Sequence, residues 1–346
     1  MDTIERLKDK AIKKNGLSAA EALDLFIEGT DRTFRVMAAA TEIREHFKGK
    51  DIILCGITNA KSGKCPENCS FCAQSAHYET EASTYPLQKA TRIIEEAALA
   101  ARNGAEFFGI VTSGKTIKTK KEWSEIFKAI DGVGQLGLKP CASLGIIDVQ
   151  KAHDLKAAGL YRYHHNLETS GSFFPNICTT HTYEENVETV RQARAAGLSV
   201  CSGGILGMGE GITHRIELAE TLRKLDVDCI PVNILNPIKG TPLGRTAPLP
   251  ALEILMTIAV FRFMLPDRDI KLCGGKEKNL RQLLPLGIVA GANSLMMGNY
   301  LTTEGRPSAL DIEMITDLGL SPTREATPLC TCAIKVKRTP RRTQGK

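Results

Sequence analysis

From residue 51 onward the chain alternates short β-rich runs with longer helical runs, eight times over. The β-rich runs fall at 51–57, 105–112, 138–146, 160–167, 198–205, 228–235, 269–274 and 293–297. Helical patterns follow at 89–103, 120–136, 148–158, 183–196, 212–225, 250–265, 276–290 and 308–318. Strict alternation of this kind implies a parallel sheet, because parallel neighbours need a crossover between them. Eight is also the strand count that closes a barrel. Asp148 and Thr182 have the side chains of helix N-caps, and Gly104, Gly137, Gly159 and Gly197 stand where helices stop. The expected fold class is α/β, a (β/α)8 TIM-type barrel, and 346 residues fit one such domain. The alternative, an open doubly wound sheet, calls for a GxGxxG turn after the first strand, and none is there.

Residues 1–50 read as a helical extension, with Ser18 and Glu21 spaced as a capping box. The barrel is expected over 51–320. Residues 321–346 form a C-terminal segment with a Cys-x-Cys pair and a basic tail. Apolar residues make up 42% and charged residues 24%, the balance of a soluble domain with a sizeable core. No apolar run reaches the roughly 18–20 residues that span a bilayer, and the charged N-terminus resembles neither a secretory nor a transit signal. A cytoplasmic protein with no membrane partner is expected. The net charge of +6 resides in the last fourteen residues, which hold six Lys and Arg and no acid. The body is neutral and lacks the basic face of a nucleic-acid enzyme.

Eleven cysteines, without a secretory signal, point to metal or redox chemistry rather than a disulfide framework. Three of them, Cys65, Cys69 and Cys72, form a C-x3-C-x2-C loop after the first strand. A barrel keeps its chemistry at the carboxyl ends of its strands. Three thiolates on one loop can hold three corners of a four-iron cubane and leave the fourth iron open. Pro66 and Asn68 favour a turning path that lets the sulfurs converge. Taken alone, the loop also allows a Cys3His zinc site with His77, or plain buried cysteines.

With Phe71 just before the last cysteine, this loop resembles the signature of the radical S-adenosylmethionine superfamily. Further runs narrow the resemblance: Tyr163–Ser170 (YHHNLETS), Val200–Glu210 (VCSGGILGMGE), Pro231–Leu235 (PVNIL) and Gly240–Pro242. With CPENCSFCAQS they strongly resemble the biotin synthase family, from about Lys61 to about Pro322. The resemblance implies a [4Fe-4S] cluster on Cys65, Cys69 and Cys72, whose open iron chelates S-adenosyl-L-methionine. Reductive cleavage then yields a radical that abstracts hydrogen from dethiobiotin, and no catalytic side chain beyond the cofactors is expected. It also implies that Gly203, Gly204, Ile205, Gly207, Glu210, Glu168 and Phe71 line the S-adenosylmethionine site, and that Asn166 and Asn233 grip the ureido ring of dethiobiotin. Position 168 is more often Asp in the family. A flavodoxin or ferredoxin donor, a homodimer and an oxygen-sensitive enzyme complete the picture. Of His164 and His165, one is expected to face in and one out.

The family's second cluster, the sulfur donor, is where this chain departs. The familiar two-iron site uses three Cys and one Arg. Cys141 and Cys201 match two of those Cys, but the third matches Phe108 and the Arg matches Lys271, so that site cannot be built as described. Cys55, Cys229 and Cys273 lie on other strands. Cys55, Cys141, Cys201 and Cys273 all belong to odd strands, which share layers in a barrel. The expected auxiliary cluster is a four-iron one on Cys141, Cys201, Cys330 and Cys332. Cys55, Cys229 and Cys273 singly read as small buried hydrophobes, and Cys178 has no assigned role. The competing readings are another radical barrel enzyme, of the hydrogenase-maturation or methylornithine-forming type, and a zinc-stabilised binding protein.

Overall fold

A computed structural model describes residues 2–14 and 16–326. Helices α1 (Thr3–Lys14), α2 (Ala19–Gly29) and α3 (Thr33–Lys48) come first. The Ser18 hydroxyl accepts the Glu21 N–H while the Glu21 carboxylate accepts the Ser18 N–H, the expected capping box. The strands are β1 (Asp51–Lys61), β2 (Phe107–Thr112), β3 (Lys139–Ser143), β4 (Arg162–His164), β5 (Ser199–Cys201), β6 (Gly204–Leu206), β7 (Cys229–Ile234), β8 (Asp269–Leu272), β9 (Ser294–Met296) and β10 (Ser321–Pro322). β5 and β6 are two segments of one stave, and both pair with β7. Every pairing is parallel, and β9 returns to β1 with Ile53 opposite Ser294. Eight staves therefore close into a barrel, and the open-sheet alternative falls away. β10 pairs with the start of β1.

The outer helices are α4 (Ala90–Arg102), α5 (Lys120–Gln135), α6 (Val149–Ala157), α7 (Tyr183–Ala195), α8 (Ile212–Lys224), α9 (Ala251–Met264), α10 (Lys276–Leu280), α11 (Leu286–Val289) and α12 (Ser308–Asp317). Asp148 and Thr182 cap α6 and α7 through their side chains, and Gly104, Gly137, Gly159 and Gly197 take the positive φ expected of helix stops. The helix expected over 276–290 is instead broken into α10, a 3-10 turn at Arg281–Leu283, and α11. Pro285 lacks the N–H that an unbroken helix would need there. α9 is apolar around nearly its whole circumference because α2 and α3 cover it from outside. Among the described residues, no helix is long and apolar enough to cross a membrane.

Side chains alternate across each stave, which fixes what reaches the barrel axis. On β2, Phe107, Gly109 and Val111 face the cavity. Phe108 points the other way, towards Ala100 of α4 and the outer side of Gly56. The phenylalanine inside the barrel is thus Phe107, one residue from the position matched in the sequence, and it packs with Cys55 and Cys141.

Candidate active site

A cavity of about 430 Å³ runs down the barrel axis. Its mouth is the loop after β1. Cys65, Cys69 and Cys72 all line it, so the three predicted thiols do converge on one space. The loop is tied down locally and across the barrel. Cys65 N–H donates to Gln74 O, Cys72 N–H to Cys69 O and Ser70 N–H to Ile177 O. The Asn68 side chain accepts the backbone N–H groups of Thr179 (2.9 Å) and Thr180 (3.3 Å), so it joins the loop to the segment after β4. His77 is not part of this thiol set: its Nε2 lies 2.8 Å from Pro66 O.

Midway down, Asn166 and Asn233 both line the cavity, as do Glu168 and His164. The two amides are also strand-end braces. Asn166 Oδ1 accepts Gly203 N–H at 3.2 Å and its Nδ2 donates to Glu168 at 3.3 Å. Asn233 Oδ1 accepts Gly274 N–H at 3.1 Å and its Nδ2 donates to Gly204 O at 3.3 Å. Each keeps a second N–H and a spare lone pair for a ligand. Glu168 sits at φ 67°, which turns its carboxyl towards the cavity, and burial raises its pKa to about 7. His165 also lines the cavity, contrary to the in-and-out expectation, because β4 ends at His164 and the alternation ends with it. Its Nε2–H donates to Asn186 Oδ1 at 2.9 Å. Burial holds His164 near 3 and His165 near 4, so both rings are neutral.

The glycine-rich run lies beside this tier. A Cβ on Gly203 would stand 2.1 Å from Pro231 O, and one on Gly204 would stand 2.5 Å from Glu168 O, so both are demanded by backbone packing itself. Phe71 and Ile205 belong to a small apolar cluster with Ile177, Met208 and Leu235, separate from the main core. Gly207 turns at φ 93°. Glu210 does not line the cavity. Its carboxylate accepts the Gly207 and Met208 N–H groups (2.8 and 2.7 Å) and Arg215 Nε (2.8 Å), so it folds the turn from behind.

At the closed end the cavity is lined by thiols. Cys55, Cys141, Cys201 and Cys273 all face it, and Cys229 stands opposite Cys201 in the β5–β7 pairing. Cys55, Cys229 and Cys273 are buried as expected of small hydrophobes, but they belong to this inner tier rather than to the shell under the helices. Two buried cations share it. Lys271 Nζ lies 3.8 Å from Cys201 Sγ, and Arg162 stacks 4.5 Å from the Phe107 ring and 3.8 Å from Asp269. Burial pushes Cys141 and Cys273 up to about 12. For Cys201 burial pulls in the same sense, but the hydrogen bond with Cys229 and the Lys271 ammonium outweigh it and bring the thiol below its usual value. No three of these thiols come within 4.8 Å of one another. As they stand, no three of them meet on one metal ion. The predicted pair Cys330 and Cys332 lies outside the described residues.

Two features were missed in the sequence. Arg162 follows from parity with His164 on β4. Cys178 reaches the mouth tier from 109 residues away, with its Sγ 3.8 Å from Cys69 Sγ; no local pattern announces it.

Residues 60–222 match the radical SAM superfamily, and residues 231–321 match the biotin and thiamin synthesis associated domain. A biotin synthase of Geobacter sulfurreducens is 52% identical over 319 residues, 92% of this chain and 97% of that protein. One from Geotalea uraniireducens is 50% identical over 321 residues, 92% and 98% of the two chains. Among solved structures, methylornithine synthase has a TM-score of 0.76 at 22% identity, covering 92% of this chain and 97% of its own. An FeFe-hydrogenase maturase from Carboxydothermus hydrogenoformans gives 0.76 at 18%, covering 94% and 81%. At such identities the structural likeness speaks for the barrel alone. Two matched family models and about half of all residues shared along nearly the full length decide the matter: this chain belongs to the biotin synthase family of the radical S-adenosylmethionine superfamily.

Proposed function

We propose that the three tiers of the cavity carry out sulfur insertion into dethiobiotin, with biotin as product. The observation that carries this reading is their stacking in one cavity: loop thiols at the mouth, paired amides in the middle, thiols and buried cations at the closed end. When bound, the [4Fe-4S] cluster with S-adenosylmethionine supplies hydrogen abstraction, and the auxiliary cluster supplies sulfur. Cys65, Cys69 and Cys72 would hold the first cluster. Phe71 and Ile205 offer an apolar face for an adenine, Gly203, Gly204 and Gly207 keep the adjoining backbone free of side chains, and Glu168 lies within reach of ribose hydroxyls. Glu210 contributes by shaping the turn.

Asn166 and Asn233 are suited to a cyclic urea, which needs both donors and acceptors. Held between them, its ring carbons would face the inner thiols. The inner tier fits an anionic cluster. The Lys271 ammonium is buried with no carboxylate at ion-pairing distance among the described residues, so it needs negative charge nearby, and a ring of thiols supplies ligands. We assign Cys141 and Cys201 to that cluster, with Cys330 and Cys332 completing a four-iron set. A flavodoxin- or ferredoxin-type donor, a homodimer and a cytoplasmic setting accord with this chemistry.

Iron and sulfide per chain, with Mössbauer spectra, on anaerobic wild type and Cys330→Ala/Cys332→Ala protein test the assignment. About eight irons falling to about four supports two four-iron clusters. About six irons, unchanged in the variant, overturns it and returns a two-iron site to Cys55, Cys229 and Cys273.

A further inference from the structure

Cys69 has a second set of neighbours that its cluster role does not use. Its Sγ is 3.8 Å from Cys178 Sγ. Cys178 Sγ is 3.2 Å from His181 Nδ1, which in turn is 2.6 Å from Glu67 Oε2. Cys69, Cys178 and His181 are, among the described residues, the one trio of metal-ligating side chains whose donor atoms all lie within 4.8 Å. Two sulfurs on one tetrahedral ion, each at about 2.3 Å, stand about 3.8 Å apart, so the observed separation is that of a mononuclear site. Thiolates on separate irons stand farther apart. Glu67, buried and against His181 Nδ1, falls outside that trio, so the fourth position of a tetrahedral ion is left to water.

We propose that Cys69, Cys178 and His181 form a site for a single tetrahedral divalent ion of the zinc or ferrous class, with water in the fourth position, open only while Cys69 is free of the cluster. Two thiolates and an imidazole nitrogen are donors that such ions take. On binding, Cys69 and Cys178 each release a proton and the Nδ1 proton of His181 moves to Nε2, so the ion meets two thiolates and a neutral ring. Because Cys69 serves both sites, occupancy of one excludes the other. Zinc held here blocks assembly of the loop cluster. This site stands apart from the sulfur-insertion reading and does not depend on the substrate.

The full chain carrying Cys65→Ala/Cys72→Ala cannot hold the loop cluster but keeps all three donors. Titrated anaerobically with Co2+, it is expected to gain one tetrahedral ion with thiolate charge-transfer absorption. Adding Cys178→Ala or, separately, His181→Gln is expected to weaken that binding at least tenfold, over an unchanged background from the inner thiols. His181→Gln carries the test if Cys178→Ala fails to fold. Spectra and stoichiometry unchanged by both substitutions overturn the site. In a second measurement, zinc added before iron and sulfide should slow loop-cluster assembly several-fold in wild type and not in Cys178→Ala; equal slowing in both overturns the exclusion.

Discussion

Lys271 Nζ stands 3.8 Å from Cys201 Sγ at the closed end of the barrel, and among the described residues no carboxylate is at ion-pairing distance from its ammonium. Arg162, the other cation of that tier, has Asp269 at 3.8 Å, and Asp269 is already shared with Lys48 at 3.0 Å. The inner tier therefore has an excess of fixed positive charge in a setting that screens it poorly. The proposed auxiliary cluster and the thiolates that would hold it supply balancing charge.

Lys271→Met tests this balance, since it keeps most of the side-chain volume and removes the charge. Auxiliary-cluster affinity is expected to fall about 10- to 100-fold, as for other groups that support metal ligands from behind. Iron per chain should drop while S-adenosylmethionine cleavage persists. Iron content equal to wild type would show that Lys271 does not balance the cluster.

The paired amides give a second expectation. Asn233→Ala removes a donor and an acceptor from the middle tier, worth about 1–3 kcal/mol if a bound urea is left unpaired. The dethiobiotin concentration for half-maximal rate should rise about 10- to 100-fold, with S-adenosylmethionine affinity little changed. A loss of thermal stability alone, with substrate dependence intact, would reduce Asn233 to its observed brace between Gly204 and Gly274.

The staves and their order were readable because alternation, helix caps and glycine stops are all local. Asp148 and Gly159 bracket α6 without help from any distant contact. What local pattern does not carry is parity and distance. Phe107 and Phe108 are equally apolar, so composition cannot say which faces the cavity; the register Cys55 to Phe107 does. The contact of Cys69 with Cys178 arises only when the segment after β4 folds back onto the loop after β1, and Asn68 is the clamp that makes it. Glu210 was readable as part of a glycine-rich motif but not as its buckle, because Arg215 meets it from the next helix.

Glu210 and Arg215 are both almost fully buried, and Arg215 also reaches Glu253 at 2.7 Å. Glu210→Ala leaves the guanidinium with Glu253 as its one carboxylate partner among the described residues, beside the Thr257 hydroxyl, and frees two N–H groups of the turn. Breaking a buried pair from one side costs about 3–5 kcal/mol, so a clear fall in the urea midpoint is expected. S-adenosylmethionine binding should weaken with it. Restoration of binding but not of full stability in Glu210→Gln would mark the turn's hydrogen bonds, rather than the charge, as what the cofactor needs.

Glu168 gives a pH dependence whose sign can be worked out. Burial raises its pKa from 4.5 to about 7, so between those values the folded chain binds a proton that the unfolded chain has released. Stability attributable to this carboxyl is therefore fully present below about 4.5 and is lost as pH rises to about 7. The full shift corresponds to about 3 kcal/mol; with part of the side chain open to cavity water, about 2 kcal/mol is the expected effect. Cluster-free Glu168→Gln should thus gain about 2 kcal/mol over wild type between pH 5 and pH 8, read from urea midpoints at each pH. A difference that does not change with pH would mean that the carboxyl titrates as it would in water, and that its position at φ 67° leaves it solvated.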